Sequence, residues 1–427
     1  MKSIRENILY YGFLFLILLG ITLAFGNQTK NNLADTKNEL YEKLHLFADV
    51  LTIVKKNYVK DVSSKDLIYG ALSGALHSLD AHSQFMDPVM YKAMKVDTEG
   101  HFGGLGIEIT IREGILTVIS PMEGTPAFNQ GVKSGDKILK IDDKSTENIT
   151  LMEAVKQLRG IIGTKVKVTI LRPSTKEFLD IEITRADIQV HAIRDAQILP
   201  DTSIGYVRIL HFQEDTSEEL ESAIKSFGEI EGLVLDLRNN PGGLLQEAVR
   251  VSELLVGKER LVVYTEGRVP DQNAKYYSKR EEKIIDCPLV VLVNNGSASA
   301  SEIVAGAVQD WKEGIILGVK SFGKGSVQSV VPLSDGSALR LTTARYFTPK
   351  GQVIHGKGII PDVEKVLTKE DEEAILKHRL ERIDNPEKTE TLFIDSQLSS
   401  AMDLIKGISV FLDKKEVAEV AEEEPAA

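Results

Sequence analysis

With 427 residues, 42% hydrophobic and 27% charged, the chain has the make-up of an ordinary folded protein of two or three domains. A net charge of -12 gives nucleic-acid binding no electrostatic support, and the lone cysteine, Cys287, rules out an internal disulfide. Neither a Cys/His ligand pattern nor HExxH, a P-loop or GxGxxG occurs, so no metal or nucleotide motif is present.

Ile8 to Gly26 is an uncharged apolar run, just long enough to span a bilayer. Lys2 and Arg5 on its N-terminal side keep that end in the cytoplasm, which predicts export of the rest. Ala24 and Gly26 also suit signal peptidase, so residues 1–27 read as either an anchor or a cleaved signal peptide. Residues 33–94 form a helical region. Leu40, Leu44, Phe47, Leu51, Val54 and Tyr58 alternate by four and three within a helix from Leu33 to Tyr58. That seam packs either on its own domain or on another helix, as in a dimer. A second helix runs from Asp66 to Leu79, and a turn-rich segment follows to Pro88.

Residues 95–185 change character. Short β-rich runs (Leu105–Ile111, Ile115–Val118, Lys137–Ile141, Val166–Leu171, Leu179–Ile183) surround one helix, Leu151–Leu158. Gly103, Gly104, Leu105, Gly106 and Ile107 open this module. Glycines before a strand offer free N–H groups for a carboxylate beside an open sheet edge. From residue 186 to 368 strands and helices alternate. Gly232–Leu237 is a buried strand that runs into Arg238-Asn-Asn-Pro-Gly-Gly243 and then a helix, Leu244–Leu255. Gly242 and Gly243 allow backbone N–H groups to approach a ligand oxygen, although an ordinary tight turn has the same composition.

The apolar run Pro288–Val293 then breaks at Asn294-Asn-Gly296 and enters a small-residue segment, Ser297 to Ser301. A helical pattern follows, with Ile303, Val304, Ala307, Val308 and Trp311 on one side. Strand, tight turn and helix start expose a serine where unpaired helix N–H groups point outward. Further on, Lys324 and Gln328 sit in a glycine-flanked segment. A serine and a lysine so placed fit a nucleophile and its base; helix capping by Ser297, Ser299 and Ser301, with a surface lysine, fits as well. Periodicity does not choose among the three serines. Residues 369–412 form a C-terminal helical region with a helix from Ser396 to Leu412, and 413–427 read as an acidic disordered tail.

The order of elements in 95–185 resembles a PDZ domain, carried by the glycine loop, Gly124-Thr-Pro-Ala127, Gly131 to Asp142 and Leu158-Arg-Gly160. Leu79-Asp-Ala-His-Ser83, Gly205-Tyr-Val-Arg-Ile209, Leu235-Asp-Leu-Arg-Asn-Asn-Pro-Gly-Gly243, Gly296 to Glu302, Gly323-Lys-Gly325 and Gly358-Ile-Ile-Pro-Asp362 extend the likeness. From about residue 36 to 410 the chain resembles the C-terminal processing peptidases, or tail-specific proteases. The family usually has Pro where this chain has Ala81, a departure in a turn. The resemblance implies a multidomain α/β (α+β) fold: a crotonase-like serine protease core, an inserted PDZ domain and helical ends. It also implies a serine endopeptidase with Ser299 as nucleophile, Lys324 as base and Gln328 orienting the lysine. Oxyanion donors would be Ala300 and either Gly242 or Gly243. No cofactor or metal is implied. Protein substrates with apolar C-termini, an adaptor protein and a homodimer or larger assembly are the expected partners. The expected location is the periplasm or the outer face of the cytoplasmic membrane. Arg159 or Arg172 would relay peptide binding to the core. A catalytically silent PDZ scaffold tethering envelope partners is the rival reading. Ser321-Phe-Gly-Lys324 also spells SxxK, but the flanking glycines disfavour the helix that motif needs, and its SDN and KTG companions are absent.

Overall fold

A computed structural model of the chain describes residues 40–112, 114–122, 124–384 and 392–423. The apolar run Ile8–Gly26, and with it the question of anchor or signal peptide, lies outside them. Among the described residues no helix is long and apolar enough to cross a membrane. The chain divides into two units, Met1–Phe85 and Met86–Ala427. In the first, α1 covers residues 40–57 and α2 spans Ser64–His77. The Ser63 hydroxyl caps α2 by accepting the Lys65 N–H. Asp80 then closes a turn, its carboxylate accepting the His82 and Ser83 N–H groups at 2.7 and 2.8 Å. This Asx-type turn explains the short polar run between α2 and strand β1 (Gln84–Met86).

The second unit begins with α3 (Pro88–Glu99), capped by Asp87, and β2 (His101–Gly104). The PDZ-like barrel follows: β3 (Ile107–Arg112), β4 (Ile115–Pro121), α4 (Pro126–Asn129), β5 (Lys137–Ile141), β6 (Lys144–Ser145), α5 (Leu151–Leu158), β7 (Lys165–Arg172) and β8 (Glu177–Thr184). Alternating strands bury Leu116, Val118, Ile138, Ile141, Val166, Val168 and Ile170 in one cluster with Ala154 and Leu158 of α5. A reciprocal capping box, Thr150 with Glu153, starts α5. β9 (Ala186–Gln189) pairs back onto β2.

The α/β core is built on a sheet in the order β10 (Ile193–Ile198), β11 (Ile204–Ile209), β12 (Gly232–Asp236), β15 (Leu289–Val293), β16 (Ile315–Gly318) and β19 (Val363–Glu364). All but β10 run parallel. β12 and β15 are buried on both faces, which is why they read as unbroken apolar runs. Leu233 and Leu235 pack among α6 (Thr216–Ser226), α7 (Leu245–Val256) and α8 (Ala300–Trp311), while Val234 packs with Leu398, Ala401 and Ile405. Each such side chain contributes about 1.5–3 kcal/mol by burial. A second sheet joins β14 (Ala274–Tyr277), β13 (Leu261–Gly267), β18 (Ala338–Phe347) and β17 (Ser326–Pro332).

α9 (Lys369–Asp384) and α10 (Ser396–Glu423) complete the unit. The acidic stretch expected to be a disordered tail continues α10 as helix to Glu423. Residues 414–423 are all Lys, Glu, Ala or Val, and Ala, Glu and Lys are good helix formers. Residues 424–427 lie outside the described set.

Candidate active site

The parallel strands β12 and β15 end side by side, and the loops that leave them are stitched together. Ala298 donates its N–H to the Asn240 carbonyl at 3.0 Å, and Asn239 donates to Asn294 Oδ1 at 2.8 Å. The three serines of the second loop separate here. Ser297 is fully buried and its hydroxyl donates to the Leu237 carbonyl at 2.8 Å; Ser301 is fully buried and donates to the Asn240 carbonyl at 3.0 Å. Ser299 is half-buried, and its hydroxyl has no partner among the described residues. Its backbone adopts φ 56°, ψ -112°, a strained conformation for a residue with a side chain. The sharp turn presents the Oγ at the head of α8, where the Ala300 N–H also has no partner among the described residues.

Gly242 packs against this corner. A Cβ there would lie 2.7 Å from Ser299 Cβ and 2.9 Å from the Ala300 nitrogen, so only glycine fits. The Gly242 N–H is already donated to Asn240 Oδ1 at 2.9 Å, whereas the Gly243 N–H is unengaged among the described residues. Gly243 is held by its neighbours: Phe212 donates to the Gly242 carbonyl, and Leu244 donates to the Phe212 carbonyl. Beneath the loop, Asp236 is buried with Tyr206 and Arg238, whose guanidinium also reaches Asp395 at 2.8 Å and Gln397 at 2.9 Å. Burial opposes the Asp236 charge, but Arg238 outweighs it and holds the carboxyl below its ordinary value.

Glu302, three residues after Ser299, was not singled out from the sequence. It is wholly buried, and its carboxylate gathers four donors: the N–H groups of Ser299 (2.8 Å), Gly323 (2.7 Å) and Lys324 (2.8 Å), and the Ser321 hydroxyl (2.5 Å). One side chain thus fixes the backbones of Ser299 and Lys324 to each other. The Ser-x-x-Glu spacing of a capping box was the available signal. Burial pushes the Glu302 pKa up and the donors push back. Lys324 is half-buried; burial and the nearby charge of Arg340 push its pKa down, against the opposing pull of Glu302. Its ammonium makes no hydrogen bond or ion pair among the described residues, so no direct bond joins it to Ser299 or Gln328. Gln328 donates to Thr342 Oγ1 at 2.8 Å and Ser326 Oγ at 3.2 Å, leaving its carbonyl oxygen buried without a donor.

Gly242, Gly243 and Gln328 line a cleft of about 640 Å³ that also meets Phe102, Arg159 and Arg340. Arg159 stacks 3.8 Å above the Phe102 ring, whereas Arg172 is bound inside the PDZ-like barrel to Asp136 and the Gly131 carbonyl. Of the glycine-loop residues, Gly103 and Gly104 belong to β2, paired with Asp187 and Ala186, and the Gly103 carbonyl accepts the Gly160 N–H. They are strand, not free loop. Leu105 and Gly106 form the turn itself, with Gly106 at φ 74°, and Ile107 opens β3. β3 pairs on one side with β4 and leaves its other edge unpaired beside α5.

Comparison with known proteins agrees with this architecture. Residues 203–365 match the model of peptidase family S41, 94–171 that of the PDZ domain, and 22–89 that of the activating protease CtpB N-terminal domain. The carboxy-terminal-processing protease of Bartonella bacilliformis is 42% identical over 366 residues, covering 84% of this chain and 82% of its own. The carboxy-terminal processing protease CtpA of Bacillus subtilis is 35% identical over 338 residues, covering 78% and 71%. A solved photosystem II D1 C-terminal processing protease aligns at 31% identity and TM-score 0.43, covering 75% of this chain and 92% of its own. The chain belongs to peptidase family S41 and is a serine-type peptidase of the carboxy-terminal-processing group, with a PDZ domain.

Proposed function

We propose that this chain is an exported endopeptidase that captures substrate C-termini with its PDZ domain and cuts through a Ser299–Lys324 dyad. The observation that carries the reading is the free Ser299 hydroxyl, held beside two unengaged N–H groups and fixed through Glu302 to a lysine of lowered pKa. Neutral Lys324 takes the Ser299 proton as Oγ attacks the scissile carbonyl. The Ala300 and Gly243 N–H groups hold the oxyanion, each worth roughly 3 kcal/mol. The Lys324 ammonium then protonates the leaving amine, and water hydrolyses the ester to release the acyl half and restore Ser299. The buried Gln328 carbonyl oxygen is the acceptor that orients Lys324. Because no direct bond joins these groups in the free chain, a peptide on the PDZ domain is the natural trigger for closing them up.

Lys2, Arg5 and the apolar Ile8–Gly26 support export and a membrane-side location for processing or degrading envelope proteins. Leu40 and Leu44 of α1, and Tyr58 just past its end, are about half exposed or more, which supports pairing with a second copy; family likeness supports an adaptor. In the PDZ domain an apolar C-terminus adds along the open edge of β3, its carboxylate at the 105–107 turn. A Cβ on Gly106 would collide with the Thr125 side chain at a φ that disfavours any substitution. Gly106→Ala is expected to weaken binding of an apolar C-terminal peptide at least ~10-fold by calorimetry, since the turn must rebuild.

The whole reading is tested with a serine-directed covalent probe and an unstructured protein ending in apolar residues. Mass mapping should place the probe on Ser299, and appending two aspartates to the substrate should lower kcat/KM by about 10- to 100-fold, the scale of a lost apolar anchor. Labelling elsewhere, or no labelling with and without PDZ peptide, would favour the silent scaffold.

A further inference from the structure

We propose that Arg340 is a specificity-determining residue that seats the carboxylate of an Asp or Glu side chain of the substrate, near the bond being cut. The proposal rests on the Ser299–Lys324 reading. Register pairs Gln328 with Thr342 and Val330 with Arg340 across β17 and β18, so these four side chains share one face of the hairpin. Gln328, Val330 and Arg340 line the same cleft as Gly242 and Gly243. Among the described residues that line it there is no Asp or Glu, although the chain as a whole carries 63 acidic against 51 basic residues. Its other walls include Val96, Leu210 and Leu244, apolar surface that strengthens any charge pairing made inside.

Arg340 is partly buried, yet makes no hydrogen bond or ion pair among the described residues. A guanidinium in a fixed fork, half removed from water and lacking an anion, is a built half of a bidentate carboxylate site. It also lies close enough to Lys324 for its charge to be felt there, which puts the missing anion within reach of the reacting centre. A substrate carbonyl would fill the fork without regard to charge. A carboxylate pairs with the guanidinium through two charge-assisted bonds that a neutral carbonyl cannot match, and that is the partner the site selects.

The test reads binding, by fluorescence anisotropy, on the full chain carrying Ser299→Ala. Peptides with amidated C-termini, which deny the PDZ domain its carboxylate, carry Glu or Gln stepped through positions around a central apolar residue. At one or two positions Glu should bind about 10-fold more tightly than Gln, the scale of a charge-assisted pair. That preference should vanish in Arg340→Gln, survive in part in Arg340→Lys and turn to Lys-containing peptides in Arg340→Glu. A Gln peptide with a free C-terminus separates a chain-end carboxylate from a side chain, because only occupancy of the fork responds to the charge at position 340. Equal binding of Glu and Gln peptides at every position, or a preference unchanged by Arg340→Gln, overturns the proposal. Neither result touches the probe labelling of Ser299, so the two readings fail separately.

Discussion

Ser299→Ala and Lys324→Ala are each expected to lower peptide cleavage by about 10⁴- to 10⁶-fold, and the double variant by no more than either alone, because the two act as one unit. Folding should be unaffected. The Ser299 hydroxyl has no partner to lose, and Lys324 contributes its backbone, not its ammonium, to the Glu302 network. Thermal melts and initial rates on an apolar-tailed substrate check both points. The pH profile gives a finer reading. Lys324 must be neutral to act, so kcat/KM rises with pH as it loses its proton, and the acid limb reports its lowered pKa. Arg340→Gln removes a charge that pushes this pKa down, so the limb should move to higher pH. A limb that does not respond to the charge at 340 would mean that Lys324 is not the base.

Glu302→Ala should be the next most damaging change, with kcat down about 10²- to 10³-fold, the cost of displacing reacting groups by an ångström or so. Four donors lose their acceptor, three of them backbone N–H groups. Each unsatisfied buried group costs roughly 1–3 kcal/mol, so the Ser299 and Lys324 loops must rearrange to find water. Stability should fall too, which a melt would register. The distinguishing variant is Glu302→Gln, which keeps the size but turns an amide N–H toward donors. It also removes the negative charge that supports the Lys324 ammonium, so its acid limb should move to lower pH, opposite to Arg340→Gln. An acid limb unmoved in Glu302→Gln would show that Glu302 acts through its hydrogen bonds and not through its charge.

Much of this was readable in the chain because the relevant signals are local. The apolar runs ending at Asp236 and Val293, the glycines after the first and the small residues after the second mark two strand ends with sharp turns. The order of PDZ segments is likewise a one-dimensional pattern. What the sequence does not carry is the pairing of distant parts. Choosing Ser299 over Ser297 and Ser301 physically depends on acceptors at Leu237 and Asn240, some sixty positions away. Excluding the Gly242 N–H depends on a side-chain turn by Asn240. Glu302 and Arg340 gain their importance from three loops and a hairpin that meet only on folding. Gly103 and Gly104 misled for the same reason: their strand partner, Asp187 and Ala186, lies beyond the whole domain. The tail was misjudged from charge alone, although its residues are helix formers.

Arg238 sits two residues past β12, at the root of the loop that carries Gly242 and Gly243, and two of its three side-chain partners, Asp395 and Gln397, lie more than 150 positions further along the chain. A polypeptide made from its N-terminus forward acquires Ser299, Lys324 and both glycines well before it acquires those partners. Until then the arginine is tied to Asp236 alone, and the loop is braced from one side. The order of synthesis therefore acts as a delay: the loop is braced from both sides only once the helix that begins just after Asp395 has been made and has docked.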